Sequence, residues 1–205
     1  MEYVGNNPSN KTNPERGYGI EYVELSGVSF PDEFTVYFDV MRKCSESYTS
    51  TQYFGNTSDR GGFALGSFYS YIKLNCGLIS DNIKNIPGGS TGKICRNKVL
   101  VEVKHDVQRV KYELPTGTYS SVLNLPYVST EDNILLMCDR NPKKNYGPIY
   151  GDVYSFWVKE TYGMYVVDLI PCVKNGIACF YDKVSGKIFE NSANKGNLVA
   201  GPRIV

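Results

Sequence analysis

"EFTVYFDVM", residues 33–41, alternates without a break. Phe34, Val36, Phe38 and Val40 fall on one side, and Thr35, Tyr37, Asp39 and Met41 on the other. A period of two is the pattern of a strand with one face buried, because successive side chains leave a strand on opposite sides. The same period runs through "KVLVEVKHDV", residues 98–107, where Val99, Val101 and Val103 share a face. In "DVYSFWVKE" (152–160) and "MYVVDLIPC" (164–172) apolar residues occupy both faces, which predicts strands buried on both sides or curved strands within a sandwich.

Such runs recur about every ten residues, separated by Gly, Asn, Asp and Pro clusters. No amphipathic helix is legible beyond a short turn near "DNIKNI" (81–86). The expectation is an all-β chain folded as a two-sheet antiparallel sandwich, spanning residues 21–205 and preceded by an extended arm over 1–20. Phe34, Val36, Phe38, Val101, Val103, Phe156, Val167, Leu169, Phe180 and Phe189 are the predicted core. "GIACFYDKVSGKIFENSA" (176–193) reads as a hairpin turning at Gly186, with Tyr181 and Phe189 over the core.

Of the 205 residues, 41% are hydrophobic and 21% charged, enough for an ordinary globular core. Net charge is +1, from 22 basic and 21 acidic residues. That balance gives no electrostatic case for nucleic acid or an anionic membrane, and it does not oppose self-association into a homo-oligomer. No run approaches the ~18 apolar residues of a membrane span. The start, "MEYVGNNPSNKTNPERGYG", lacks the apolar segment of a secretion signal. The six cysteines, at 44, 76, 95, 138, 172 and 179, form no C-x-x-C and stand beside apolar runs. They are expected to be reduced thiols packing as small hydrophobes. With a single histidine, no zinc site or other metal is expected, and no cofactor. The sequons at Asn10 and Asn56 carry little weight without an export signal.

Catalytic patterns fail on spacing. "PGGSTGKIC" (87–95) has Pro87 where a phosphate loop needs its first Gly and Ile94 where it needs Ser or Thr. His105 and Asp106 are adjacent, so on a strand they would point apart, and no G-x-S-x-G accompanies them. No strand carries an E-x-D-x-x-E that would pair carboxylates for glycoside hydrolysis. Asp168, inside "VVDLIP", is an acid in an apolar run, expected to be satisfied by turn or backbone donors. Binding chemistry is better represented. Tyr53, Asp59 and Arg60 lie in or beside "FGNTSDRGGFALG" (54–66), and Asn145, Tyr146 and Tyr150 in "CDRNPKKNYGPIYGD" (138–152). They offer flat rings and planar polar groups suited to a hydroxyl-rich ligand, although turn chemistry selects many of the same residue types.

"GDVYSFWVKE" (151–160) and "MYVVDLIPCVKNGIACFYDKVSGKIFENSANKGNLVAGP" (164–202) resemble the end of concanavalin A-like, laminin G-like jelly-roll domains of gut bacteria and their phages. The matching positions are Gly151, Tyr154, Ser155 and Phe156, then Asp168, Ile170, Pro171 and Cys172, then Gly176, Tyr181, Asp182, Val184, Phe189 and Asn191, and Gly201 and Pro202. "QYFGNTSDRGGFALG" (52–66) is similar to the group's F-G segment. Leu198 replaces a usual aromatic and Cys179 a usual Leu. The resemblance implies a lectin-like sandwich and a non-catalytic binding or assembly module: a phage virion component of decoration, fibre or tail type whose loops take a glycan or a protein neighbour. The alternative is an extracytoplasmic carbohydrate-binding module of a gut bacterium, or a glycosidase with an unrecognised site. In the virion reading the arm docks on other virion or surface proteins through Tyr3, Val4, Tyr18 and Tyr22, unless a groove on its own sandwich takes these anchors.

Overall fold

The computed structural model describes residues 1–5, 21–42, 51–68, 71–83, 95–138, 147–148, 151–193 and 197–202. No helix occurs among them. In chain order the strands are β1 (Val4–Gly5), β2 (Val23–Leu25), β3 (Phe34–Arg42), β4 (Thr51–Gly55), β5 (Phe63–Phe68), β6 (Tyr71–Cys76), β7 (Ile79–Asn82), β8 (Cys95–Val103) and β9 (Gln108–Leu114). They continue with β10 (Gly117–Leu123), β11 (Ile134–Leu136), β12 (Gly147–Pro148), β13 (Gly151–Glu160), β14 (Tyr165–Lys174), β15 (Ile177–Asp182), β16 (Ile188–Phe189) and β17 (Val199–Ala200).

Two sheets face each other. The larger runs β10-β9-β8-β3-β13-β14-β15-β16, with β1 set against β13 and β17. The smaller runs β2-β11-β4-β5-β6-β7, with β12 beside β4. Every pairing is antiparallel except β12 with β4. The expected all-β, two-sheet sandwich is the fold observed.

The core sits where the two inner faces meet. All ten predicted core residues are buried. Phe34 and Phe38 of β3 and Phe156 of β13 meet Phe54 of β4 and Phe63 of β5, with Phe30 and Tyr127 closing one end. Most of these contacts are edge-to-face, the arrangement that aromatic quadrupoles favour. Burying one such ring is worth about 1.5–3 kcal/mol.

The pairing of β13 with β3 carries one irregularity. Val153 is opposite Val40, yet Ser155 is opposite Asp39, so Tyr154 is an extra residue on β13. This β-bulge shifts the alternation, and after it Phe156 and Val158 face the core while Ser155, Trp157 and Lys159 face outward.

Three expectations are refined by the structure. The arm, expected to bury Tyr3 and Val4 against a partner or its own sandwich, uses the sandwich for Val4, which pairs with Val153 and Ala200, is fully buried and belongs to the larger sheet. Glu2 N–H donates to the Pro202 carbonyl at 3.0 Å and Gly201 N–H to the Tyr3 carbonyl at 2.9 Å. A Cβ on Gly201 would stand 2.7 Å from the Tyr3 ring, so this seam requires glycine there. Second, Tyr181 does not cover the core. Phe180 pairs with Phe189 on the inner face, which leaves Tyr181 and Ile188 paired on the outer one. Gly186 does turn the hairpin, at φ 73°. Third, the outer sides of β13 and β14 are not buried under another layer of described residues: Tyr165 and Ile170 are exposed there.

Candidate binding face on the larger sheet

The outward side chains of β3, β13 and β14 bring the chain's single tryptophan into an aromatic group. Tyr37 of β3 is directly opposite Trp157 of β13. Their rings stack, with centroids 5.5 Å apart and 17° between planes. Tyr165 of β14 meets Trp157 edge-on at 6.0 Å. Lys159, two residues beyond Trp157, holds its ammonium 4.1 Å from the Tyr165 ring centre and 5.3 Å from that of Trp157. Cross-strand register makes this contact, since opposed residues on one face lie within side-chain reach.

Beside this group lie committed charges. Asp39 is nearly buried and accepts from Arg96 Nε at 2.8 Å and from the second guanidinium nitrogen at 2.9 Å, a two-pronged pair. The same guanidinium lies 3.7 Å over the Tyr154 ring, and Tyr154 packs on Tyr3 at 5.3 Å. Burial, then the charges of Asp39 and Glu113, push the Tyr37 hydroxyl up to about 12, and it hydrogen-bonds to Asp39. Tyr37 is therefore a protonated, oriented phenol at neutral pH. A cleft of about 230 Å³ opens at the edge of the same face, lined by Arg96, Lys98, Glu113, Leu114 and Pro115.

Asp168, opposite Trp157 on β14, is paired with the Lys183 ammonium. The turn donors expected for Asp168 go to Asp182 instead. The buried Asp182 carboxylate accepts from Asp168 N–H at 2.9 Å, Val184 N–H at 3.1 Å, Ser185 N–H at 3.0 Å and the Ser185 hydroxyl at 2.5 Å. Burial pushes its pKa up, but these donors outweigh that and hold it below the ordinary carboxylate value.

The sequence-based candidates are dispersed. Asp59 and Arg60 are exposed at the tip of the β4–β5 turn, which Ser58 and Gly61 close, in the other sheet from Trp157. Tyr53 is a correction. It is fully buried, packed on Phe38, and presents no ring to a ligand, because the irregular register of β4 turns it inward. Asn56 is also fully buried. Its side chain donates to the Asp132 carbonyl and accepts from Phe63 N–H, so it fastens the loop and offers no glycosylation site in the folded chain. Val4 and Tyr3 are used within the fold, and Tyr22 is half-buried with its carbonyl accepting from Ser192 N–H. Asn145, Tyr146, Tyr150, Tyr18 and Asn10, and the loop 87–94, lie outside the described residues.

His105 and Asp106 are exposed in the turn between β8 and β9. Among the described residues no three His, Cys, Asp or Glu side chains gather as a metal site. Trp157 and Tyr37 were missed in the sequence. The available signal was a lone tryptophan, outward by alternation once the bulge is counted and followed two residues on by a lysine.

No family model matches the sequence, and no curated protein resembles it at the sequence level. The fold is shared with laminin G-like domains. The LG1-3 region of the laminin alpha2 chain matches with a TM-score of 0.57 at 14% identity, over 97% of this chain and 31% of that one. The full extracellular region of zebrafish Gpr126/Adgrg6 matches with a TM-score of 0.54 at 12% identity, over 96% and 27%. The chain thus spans under a third of either protein, and at these identities the likeness is one of fold.

Proposed function

We propose that the chain is a non-catalytic binding module that takes a carbohydrate on the outer face of its larger sheet, over Trp157, Tyr37 and Tyr165. The observation that carries this reading is the placement of the only tryptophan on that face, stacked on one tyrosine and edge-on to another. A sugar ring offers a flat C–H face to an aromatic and hydroxyls at its rim. Lys159, Ser155, Asp168 with Lys183, and Asp39 with Arg96 stand where such hydroxyls would need partners. The non-catalytic part has its own support. At this face Asp39 is held by Arg96 and Asp168 by Lys183, so neither of these two described carboxylates is placed as an independent acid or base. The setting we favour is a phage virion, supported by the resemblance of residues 151–202. Peptides of this chain in purified particles are the expected finding.

The single tryptophan makes the test direct. Titration with glycans that bind on an array should change Trp157 fluorescence, and Trp157→Ala should weaken binding at least tenfold while keeping the thermal midpoint within a few degrees. Glycan binding that leaves the emission unchanged and survives in Trp157→Ala would overturn this site. An array and a hydrolase screen that are both blank would overturn the carbohydrate reading.

A further inference from the structure

Strands β14 and β15 are joined by the two residues Asn175 and Gly176, at φ 52° and 82°. Positive φ at both positions marks a tight turn whose twist matches the flanking strands and fixes their register. That register puts Cys172 directly opposite Cys179. Their sulfurs are 3.0 Å apart. Opposed residues on antiparallel strands have Cα atoms about 4.5–5.5 Å apart, within the ~4.4–6.8 Å that a disulfide spans. Covalent closure to about 2.05 Å therefore needs side-chain rotation and no strand movement. The two thiols differ in access. Cys172 is half-buried, whereas Cys179 is fully buried. Cys76, by contrast, is an isolated core thiol that burial pushes up to about 12.

We propose that Cys172 and Cys179 are a redox modification site, closing to a reversible cross-strand disulfide by exchange with a small disulfide of the glutathione class. Cys172, as thiolate, attacks one sulfur of the small disulfide. A mixed disulfide forms and the first small thiolate leaves. Cys179 then attacks the Cys172 sulfur, the protein disulfide forms, and the second small thiolate leaves. The two protons lost by the cysteines end on the two released thiols, so one small disulfide is reduced for each protein dithiol oxidised. Cys172 is the attacking sulfur because it is the accessible one, and Cys179 resolves the intermediate because it is already in contact. Burial and the Cys179 thiol hold the Cys172 thiol above its ordinary value, which makes the first step slow. The bond closes only a short loop, so it constrains the unfolded chain little and acts on the hairpin itself.

The test uses the folded full chain. It is incubated with oxidised glutathione, alkylated, digested without reduction and mapped by mass spectrometry. The expected product is a 172–179 link with loss of two hydrogens, reversed by dithiothreitol. Cys179→Ser should stop at a glutathione adduct on Cys172, and Cys172→Ser should give neither product at this site. A persistent adduct on Cys172 of the unmutated chain would overturn the proposal. So would both thiols remaining free, or a link that forms only in denaturant. The map of the unmutated chain decides the matter even where a variant folds poorly.

Discussion

The outer face of the larger sheet has two halves built on different chemistry. On β8 and β9 it is a lattice of ion pairs: Glu102 with Lys104 at 3.4 Å and Arg109 at 3.2 Å, and Glu113 with Lys111 at 3.3 Å and Lys98 at 4.0 Å. On β3, β13 and β14 it is aromatic: Tyr37, Trp157 and Tyr165 under the Lys159 ammonium. The Asp39–Arg96 pair stands on the boundary. Strand propensity alone would accept either filling. The ionic half sets four cations against two carboxylates and is at home in water, where each such pair contributes about 0–1 kcal/mol. The aromatic half leaves apolar ring area in water, a cost that a stacked ligand removes. The contrast is what leads us to place the proposed ligand on the aromatic half.

The largest effect should come from beneath the aromatic half. Phe156 and Trp157 are consecutive but face opposite ways, so Phe156→Ala should cost about 3–5 kcal/mol in denaturant unfolding. Trp157→Ala should cost ~1 kcal/mol or less, as a partly exposed cross-strand pair does. Equal losses would erase the distinction between the inner and outer faces.

Asp182 sharpens the comparison as a charge that does matter. Asp182→Ala removes a buried acceptor with backbone and hydroxyl donors, and should cost about 1.5–3 kcal/mol. A carboxyl whose folded pKa lies below its unfolded value stabilises the fold fully above the unfolded value, ~4. That contribution is lost as pH falls through the lower folded value. Unfolding midpoints measured down an acid series should therefore converge for native chain and variant at the acid end. The smallest effect belongs to the ionic half. Glu102→Gln should change stability by no more than ~0.5–1 kcal/mol, and by less still in added salt. A larger, salt-insensitive loss would mean that this half is covered by a partner.

The fold was legible because period two is a local property. "EFTVYFDVM" and "KVLVEVKHDV" announce their faces, and the ten predicted core residues are all buried. The candidate binding face was not legible, for two reasons. In "DVYSFWVKE" both faces carry large apolar residues, so alternation reads the same whether the outer side meets another layer or open water. The second reason is register. Whether Tyr37 meets Trp157, or Cys172 meets Cys179, depends on which residues of separate strands come opposite each other. The polar loops misled in the opposite direction. Asn56 and Tyr53 look like ligand groups by type, and both are structural by position. The N-terminal residues look like a tether by composition, yet Val4 completes the sheet.

The extra residue at Tyr154 makes the identity of the outer face a matter of counting. Val153 points inward before it, and strict alternation from there would send Ser155 and Trp157 inward and Phe156 and Val158 to solvent. The bulge that absorbs Tyr154 thus decides which of two adjacent aromatics is core and which is surface. Deleting Tyr154 would close the bulge and leave Val153 and Phe156 inward and Ser155 and Trp157 outward, so the outer face depends on how the extra residue is absorbed and not on its presence.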